Sequence, residues 1–312
     1  MTARSDTMPA NADPTTEAAL FDIEAGPPVS LADKFVFPPM SVLDRRSGAW
    51  QDRKRAWKSL GIKSELGREG QLLYSGADVH VDYQGGTSIF DPVVAELVYR
   101  WFSATGSRVL DPFAGGSVRG VVASTLGRHY LGVDLSGDQV AANREQAHLG
   151  SEIIPQWIEG DSASLDQIVP GHESDLVFSC PPYADLEVYS DDPRDLSVMG
   201  YPDFLSAYRT AIAQSVDTLH GDRFAAWVIS DVRDKRTGAY RGLVADTIRA
   251  FVDCGMLLHN EAIILDQIGT SALRAERPFM STRKMTRTHQ HLLVFVKGSA
   301  ARAAAYCKGA QS

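Results

Sequence analysis

Residues 108–117 read Arg-Val-Leu-Asp-Pro-Phe-Ala-Gly-Gly-Ser, and their punctuation decides the fold. Arg108–Asp111 reads as a short strand around Val109 and Leu110. An acid and a proline stop it, two glycines turn the chain, and residues 117–127 carry a helical pattern. A strand running through a glycine turn into a helix opens a doubly wound sheet, where glycines let the backbone approach a ligand at the first strand-to-helix turn. The turn is not Gly-x-Gly-x-x-Gly, and it begins with an acid. An acid repels a pyrophosphate and suits a ligand that carries an ammonium and a sulfonium.

The alternation continues outward. A helix over 91–103 opens with Asp91-Pro92, a capping residue followed by proline at the first helical position. Strand Tyr130–Asp134 leads to helix 137–148. Strands follow at Gln156–Glu159 and 175–179, then helix 202–219, strand Phe224–Ser230, helix 240–254, strand 256–265 and strand 291–297. Alternating units predict a doubly wound, mainly parallel seven-stranded α/β sheet, with the last two strands as an antiparallel pair at one edge. Asp134 ends the second strand, where an acid accepts from ribose hydroxyls. Asp161 ends the next, where an acid accepts from an adenine amine. Each aspartate alone reads equally well as a cap or loop residue. Three in register with the glycine turn fit S-adenosylmethionine better than NAD or ATP.

The strand 175–179 ends in Ser179-Cys180-Pro181-Pro182-Tyr183. Two prolines remove two backbone donors and fix φ, so the carbonyls around Cys180 and Pro181 stay out of the ladder. Outward carbonyls beside the flat ring of Tyr183 suit a planar group bearing an NH2. Asp185, Glu187 and Asp231 are further rim acids, either proton acceptors or solvated surface, and Arg233, Asp234 and Lys235 read as a solvated loop.

Bulk properties set the outer limits. The chain has 312 residues, 44% hydrophobic and 22% charged, an ordinary globular composition. No apolar run approaches the ~20 residues of a membrane span, and no secretory signal is visible. Cys180, Cys254 and Cys307 lack short metal-type spacing, which points to a reducing cytoplasm and away from a disulfide framework or zinc site. The net charge of −8 argues mildly against a nucleic-acid binder. The charge is uneven, however. Residues 42–68 hold eight basic and three acidic side chains, and residues 272–289 hold five basic and one acidic. Such clusters serve phosphate binding or are merely solvated. Trp50 and Trp57, seven apart with basic residues between, read first as a core-facing stripe and second as a stacking platform. The expected organisation is a disordered tail over 1–34, a basic N-terminal extension with a possible DNA contact over 35–80, the catalytic domain over 81–300 and a short tail over 301–312.

On these motifs the chain resembles the amino-group DNA methyltransferases, which act on adenine N6 or cytosine N4. Asp111-Pro112-Phe113-Ala114-Gly115 resembles the family's Asp-Pro-Phe-x-Gly cofactor motif. Ser179–Tyr183 resembles its catalytic (Asp/Asn/Ser)-Pro-Pro-(Tyr/Phe/Trp) motif. Thr87-Ser88-Ile89-Phe90-Asp91-Pro92 resembles the segment that covers the methionine part of the cofactor. The resemblance covers roughly 80–300, and the wording is also similar to DNA methylases of phages and mobile elements. It implies a Rossmann-like methyltransferase fold, S-adenosylmethionine as cofactor, and DNA with a flipped base as partner. It implies cofactor roles for Ser88, Phe90, Asp111, Pro112, Phe113, Gly115, Asp134 and Asp161, and catalytic roles for Ser179, Cys180, Pro181, Pro182 and Tyr183. Two departures stand out. Gly115-Gly116-Ser117 replaces Gly-Ser-Gly, and Cys180, a poor acceptor, replaces Asp, Asn or Ser. Ser179 beside it leans toward cytosine N4. The alternatives are methylation of an RNA base amine or a glutamine amide, a Cys180 thiolate attacking cytosine carbon 6, and a non-catalytic nucleic-acid-binding protein with a decayed fold.

Overall fold

The computed structural model describes residues 30–63, 89–151, 153–184, 189–269 and 271–308. The chain divides into two compact units at Pro39. The first unit carries helix α1 (Leu31–Phe35), opened by Ser30 and Asp33 in a reciprocal capping box. The second unit holds the sheet.

That sheet has eight strands: β1 (Val42–Asp44), β2 (Arg108–Asp111), β3 (His129–Asp134), β4 (Gln156–Glu159), β5 (Ser174–Ser179), β6 (Leu219–Ile229), β7 (Leu257–Leu265) and β8 (His289–Lys297). Their order is β1-β7-β8-β6-β5-β2-β3-β4. Only β8 runs against the others; it lies between β6 and β7 and pairs with both. This is the expected Rossmann-like methyltransferase sheet with one addition. The sequence reading counts seven strands and ends the sheet at the antiparallel pair. Val42–Asp44, from the segment read as an extension, pairs parallel with Ile263–Leu265 and covers the edge of β7. A three-residue strand carries too little alternation to be seen in sequence.

Helices cover both faces, as successive side chains of each strand point to opposite sides. On one face Leu110, Val177, Trp227 and Phe295 pack against α7 (Tyr201–Thr218) and α8 (Leu243–Asp253) through Phe204, Tyr208, Ile212 and Phe251. On the other face Tyr99 of α3 (Pro92–Phe102) meets Phe178 edge-on, 5.4 Å between centroids. Asp91 caps α3 by accepting from the Val93 amide at 3.0 Å, with Pro92 at the first helical position, as the dipeptide predicts. Helix α2 (Gly48–Lys58) joins this layer and buries both Trp50 and Trp57, so the stripe faces the core. Helices α4 (Val118–Thr125), α5 (Gly137–Glu145) and α6 (Leu165–Ile168) follow β2, β3 and β4. Helix α9 (Ser271–Thr282) lies between β7 and β8 in the chain. Helix α10 (Ala300–Lys308) occupies most of the stretch expected as a tail, burying Ala303 and Cys307. From β2 the chain moves outward through β3 and β4, then returns to β5 on the other side of β2. The C-terminal ends of β2 and β5 therefore border the topological switch point, where ligands of doubly wound sheets bind.

Candidate active site

The turn after β2 is built around a carboxylate that no solvent reaches. Asp111 is 0% exposed. Its Oδ2 accepts from Arg119 Nε at 2.6 Å and from the Tyr130 hydroxyl at 2.7 Å, and its Oδ1 accepts from the Ser179 hydroxyl at 2.6 Å. Arg119, on the first turns of α4 and almost fully buried, also donates to the carbonyls of Phe113 at 2.6 Å and Ala114 at 3.0 Å. A buried ion pair is tolerated when hydrogen bonds fill the remaining donors and acceptors, as they do here. Burial opposes the Arg119 charge, and Asp111 more than offsets it, raising the guanidinium above its ordinary value. Burial, then Asp111, pushes the Tyr130 phenol far up, which keeps it a donor. The sequence reading turns this acid toward a ligand's ammonium; the structure surrounds it with protein donors. The carboxylate shapes the turn from inside, because α4 supplies a cation that the strand-end motif does not reveal.

The rest of the turn is more open. Gly115, at φ 50°, gives its amide to Asp134 Oδ2 at 2.7 Å, and its carbonyl accepts from Asn143 Nδ2 at 2.7 Å. Asp134 Oδ1 accepts from the Ser136 amide at 3.0 Å. Each Asp134 oxygen therefore has a backbone donor. Gly132 is required where the turn passes β3, since a Cβ there would stand 2.8 Å from the Ala114 Cβ. The Gly160 amide donates to the Asp134 carbonyl at 2.9 Å, which joins the ends of β3 and β4. Asp161 is half-buried and caps the next turn, accepting from the Ala163 amide at 2.9 Å. Ser162 donates to the buried Pro112 carbonyl. The Phe113 ring turns to the core, 6.0 Å from Trp227. Phe90 lies edge-on to Phe178 at 5.8 Å and under the Arg119 guanidinium at 4.6 Å. Ser88 lies outside the described residues.

At the end of β5, Ser179 is fully buried. Its hydroxyl donates to Asp111 and accepts from the Phe113 amide at 3.1 Å. The two sequence motifs are thus tied directly to each other, and Ser179 has no exposed acceptor to offer a substrate. Cys180 is half-buried, with its Sγ 3.4 Å from the Tyr183 hydroxyl. Pro181 is buried and Pro182 half-buried. Tyr183 packs one side against the core cluster. Burial, then Cys180, raises its phenol well above the ordinary value. Ala184 follows in the left-handed region at φ 50°, a conformation that costs a non-glycine residue energy and that often accompanies functional turns. Asp185 and Glu187 lie outside the described residues. Asp231 is committed to the N-terminus of α8, accepting from the amides of Val232, Gly242 and Leu243.

Arg119, Tyr130, Asn143 and Ser162 escape the sequence reading. The available signal is positional: Arg119 stands in Val118-Arg119-Gly120-Val121-Val122, a helix too apolar to leave a cation in water. The two basic clusters also diverge. Arg45, Arg46, Arg53, Lys54 and Arg55 each face a carboxylate of this chain. Arg287, from the second cluster, instead lies 4.6 Å from the Tyr240 ring centroid. Among the described residues, no helix is long and apolar enough to cross a membrane.

No family model matches the chain, and no curated protein matches it in sequence. Many solved structures are similar. TrmN from Thermus thermophilus is 19% identical, with TM-score 0.46 over 67% of this chain and 49% of that one, so the chain spans about half the length of that protein. Magnesium protoporphyrin IX methyltransferase from Synechocystis PCC 6803, solved with bound SAM, is 15% identical, with TM-score 0.43 over 70% and 86%. A putative RNA methyltransferase from Pyrococcus horikoshii is 13% identical, with TM-score 0.45 over 80% and 100%.

Proposed function

We propose that the chain is an S-adenosylmethionine-dependent methyltransferase that acts on the exocyclic amine of a base flipped out of DNA, cytosine N4 or adenine N6; the lean toward cytosine that Ser179 gives in sequence loses its basis, because that hydroxyl is buried against Asp111. The observation that carries this reading is the bond from Ser179 to Asp111, which fixes the start of Cys180-Pro181-Pro182-Tyr183 to the start of the cofactor turn. A methyl donor held at Gly115 and Asp134 and an amine held at Cys180–Tyr183 then share one rim. The residue types fit the cofactor: Asp134 is a half-buried acid at the end of β3, where an acid accepts from ribose hydroxyls, and Gly115 gives the close backbone approach. When bound, S-adenosylmethionine supplies an electrophilic sulfonium methyl.

The protein's task is to position the amine and localise its lone pair. An aromatic NH2 is a weak nucleophile because that lone pair is delocalised into the ring. Hydrogen bonds from the NH2 to the carbonyls of Cys180 and Pro181 favour a tetrahedral nitrogen. Positioning and electrostatics of this kind provide the rate gain, without a strong base. Ser179 acts through Asp111 and the Phe113 amide. Tyr183 offers a ring for the flipped base to stack on, and its hydroxyl orients the Cys180 side chain.

The deciding assay offers labelled cofactor to DNA, RNA and protein and analyses the methylated nucleosides by mass spectrometry. N4-methylcytosine or N6-methyladenine in DNA is the expected product. Tyr183→Ala should lose transfer by about a hundredfold or more, within the range of a lost positioning group, while still binding the cofactor. Full transfer in that variant removes the stacking role. Cys180→Ser should remain active; a dead Cys180→Ser that still binds cofactor favours the thiolate route.

A further inference from the structure

Strand register carries a second group of residues to this rim. Ser179 pairs with Trp227 on the parallel strand β6, and Ile229 pairs with His291 on the antiparallel strand β8. The residues after Ile229 and those before His289 therefore leave the sheet on the same side as Cys180–Tyr183. Residues 231–242 turn back on themselves through a bridge between Arg233 and Tyr240. Tyr240 is 45% exposed. The Arg233 guanidinium lies 3.7 Å from its ring centroid and that of Arg287 lies 4.6 Å from it.

Two guanidiniums on one ring repel each other, and no described carboxylate offsets their charge. Arg233 donates to the Gly238 carbonyl at 2.8 Å, and Arg287 to the Ser230 hydroxyl at 3.0 Å. Among the described residues neither forms an ion pair, and the Nε of Arg287 is buried without a partner. The acids of the hairpin are committed elsewhere. Asp231 holds three amides at the start of α8, while Asp234 accepts from Arg236, Thr237 and the Thr237 hydroxyl and pairs with Arg241. Burial raises the Tyr240 phenol, but Arg287 and then Arg233 outweigh it and hold the group below its ordinary value. A planar guanidinium fork matches a phosphate, and an exposed ring held between cations matches a base beside it.

We infer that Arg233, Tyr240 and Arg287 form a clamp for the phosphodiester backbone of the nucleic acid whose base enters the site at Cys180–Tyr183. The inference rests on the base-methylation reading for its partner, and on the unneutralised pair of guanidiniums for its place. It also assigns the hairpin, which in sequence reads as a solvated loop, a ligand.

The test is a fluorescence titration of the full chain with a labelled DNA duplex across a salt series. Each phosphate that a cation neutralises adds about 0.9 to the slope of log affinity against log salt. Arg233→Gln/Arg287→Gln should therefore weaken binding and flatten that slope by roughly one to two. Calorimetric binding of S-adenosylmethionine should not change. Arg233→Lys/Arg287→Lys should restore most of the slope. Arg302→Gln, which removes an exposed cation paired with Asp222 at the opposite end of β6, should leave it untouched. Where the double variant loses cofactor binding through misfolding, Arg233→Gln alone gives the reading, with a slope change of about one. An unaltered slope in a folded variant overturns the clamp. So does a wild-type chain that binds polyglutamate as tightly as the duplex, which marks an acidic protein partner. The base-methylation reading fails separately: a chain that transfers no methyl to DNA, yet keeps a slope that depends on Arg233 and Arg287, loses the proposed reaction and retains the clamp.

Discussion

Asp111 and Asp134 are the same residue type at the same kind of place, each closing a central parallel strand on one rim, and their surroundings differ. Asp111 is sealed in, with Arg119, Tyr130 and Ser179 all donating to it. Asp134 is half-buried, with one backbone amide on each oxygen. Position at a strand end therefore does not decide whether an acid meets a ligand. The donors around it decide. Asp111 receives a cation from α4 and a hydroxyl from each neighbouring strand, which exhausts it as an acceptor. Asp134 is oriented by the Gly115 and Ser136 amides and stays half-buried, not sealed.

The sharpest way to break this contrast is to remove Asp111. Asp111→Ala leaves the Arg119 charge buried without its partner, and losses of about 3–5 kcal/mol are typical when one member of a buried pair is removed. Urea denaturation should show that loss, and replacing Arg119 as well (Asp111→Leu/Arg119→Met) should recover part of it. A stable Asp111→Ala chain that has merely lost cofactor affinity would put the carboxylate back against the ligand and erase the distinction.

Asp134→Ala should show the reverse pattern, with smaller numbers. Hydrogen bonds to a charged acceptor contribute about 1.5–3 kcal/mol, so cofactor binding by calorimetry should weaken by about ten- to a hundredfold. Losing the bonds to Gly115 and Ser136 should cost the fold less than the Asp111 change, because water reaches the half-buried site and replaces them. If stability falls as far as in Asp111→Ala, Asp134 is structural too, and the rim has no acid left for ribose.

How much of this was legible in the sequence follows from how local each feature is. The strand-turn-helix units, the Asp91-Pro92 helix start and the strand before Ser179 are written in neighbouring residues, and the elements formed within a few positions of where the pattern puts them. The proximity of the two motifs was legible as topology, since both end central strands. The bond that ties them was not: Ser179 and Asp111 are 68 positions apart, and a serine before a cysteine carries no mark of the acid it will meet. The basic stretch around α2 looked like a phosphate contact because its carboxylate partners Asp91, Glu96 and Asp266 lie at other points of the chain. Arg233 reads as solvated in sequence because nothing local marks that the acid beside it, Asp234, is turned to its own loop. Pairing across long sequence separations is what a single sequence conceals.

The smallest expected effect carries the buried-versus-open contrast away from the rim, to α2. Glu96 is a sealed acid like Asp111, receiving Arg53, Arg100 and the Trp57 indole. Burial pushes its carboxyl up, and Arg53, Trp57 and Arg100 together pull it below the ordinary glutamate value. A depressed acid contributes stability that is present above its unfolded pKa and is lost as pH falls through the lowered folded value. Arg53→Gln should therefore be less stable than the wild type at neutral pH, and the gap should narrow as the pH drops through and below the glutamate range. Asp52, one residue before Arg53, is the open counterpart: its side chain and that of its partner Arg55 are each 70% exposed. Exposed pairs contribute about 0–1 kcal/mol, so Arg55→Gln should move the denaturation midpoint little. Equal losses from Arg53→Gln and Arg55→Gln would mean that burial does not separate the two acids on this helix, and would weaken the same argument at Asp111 and Asp134.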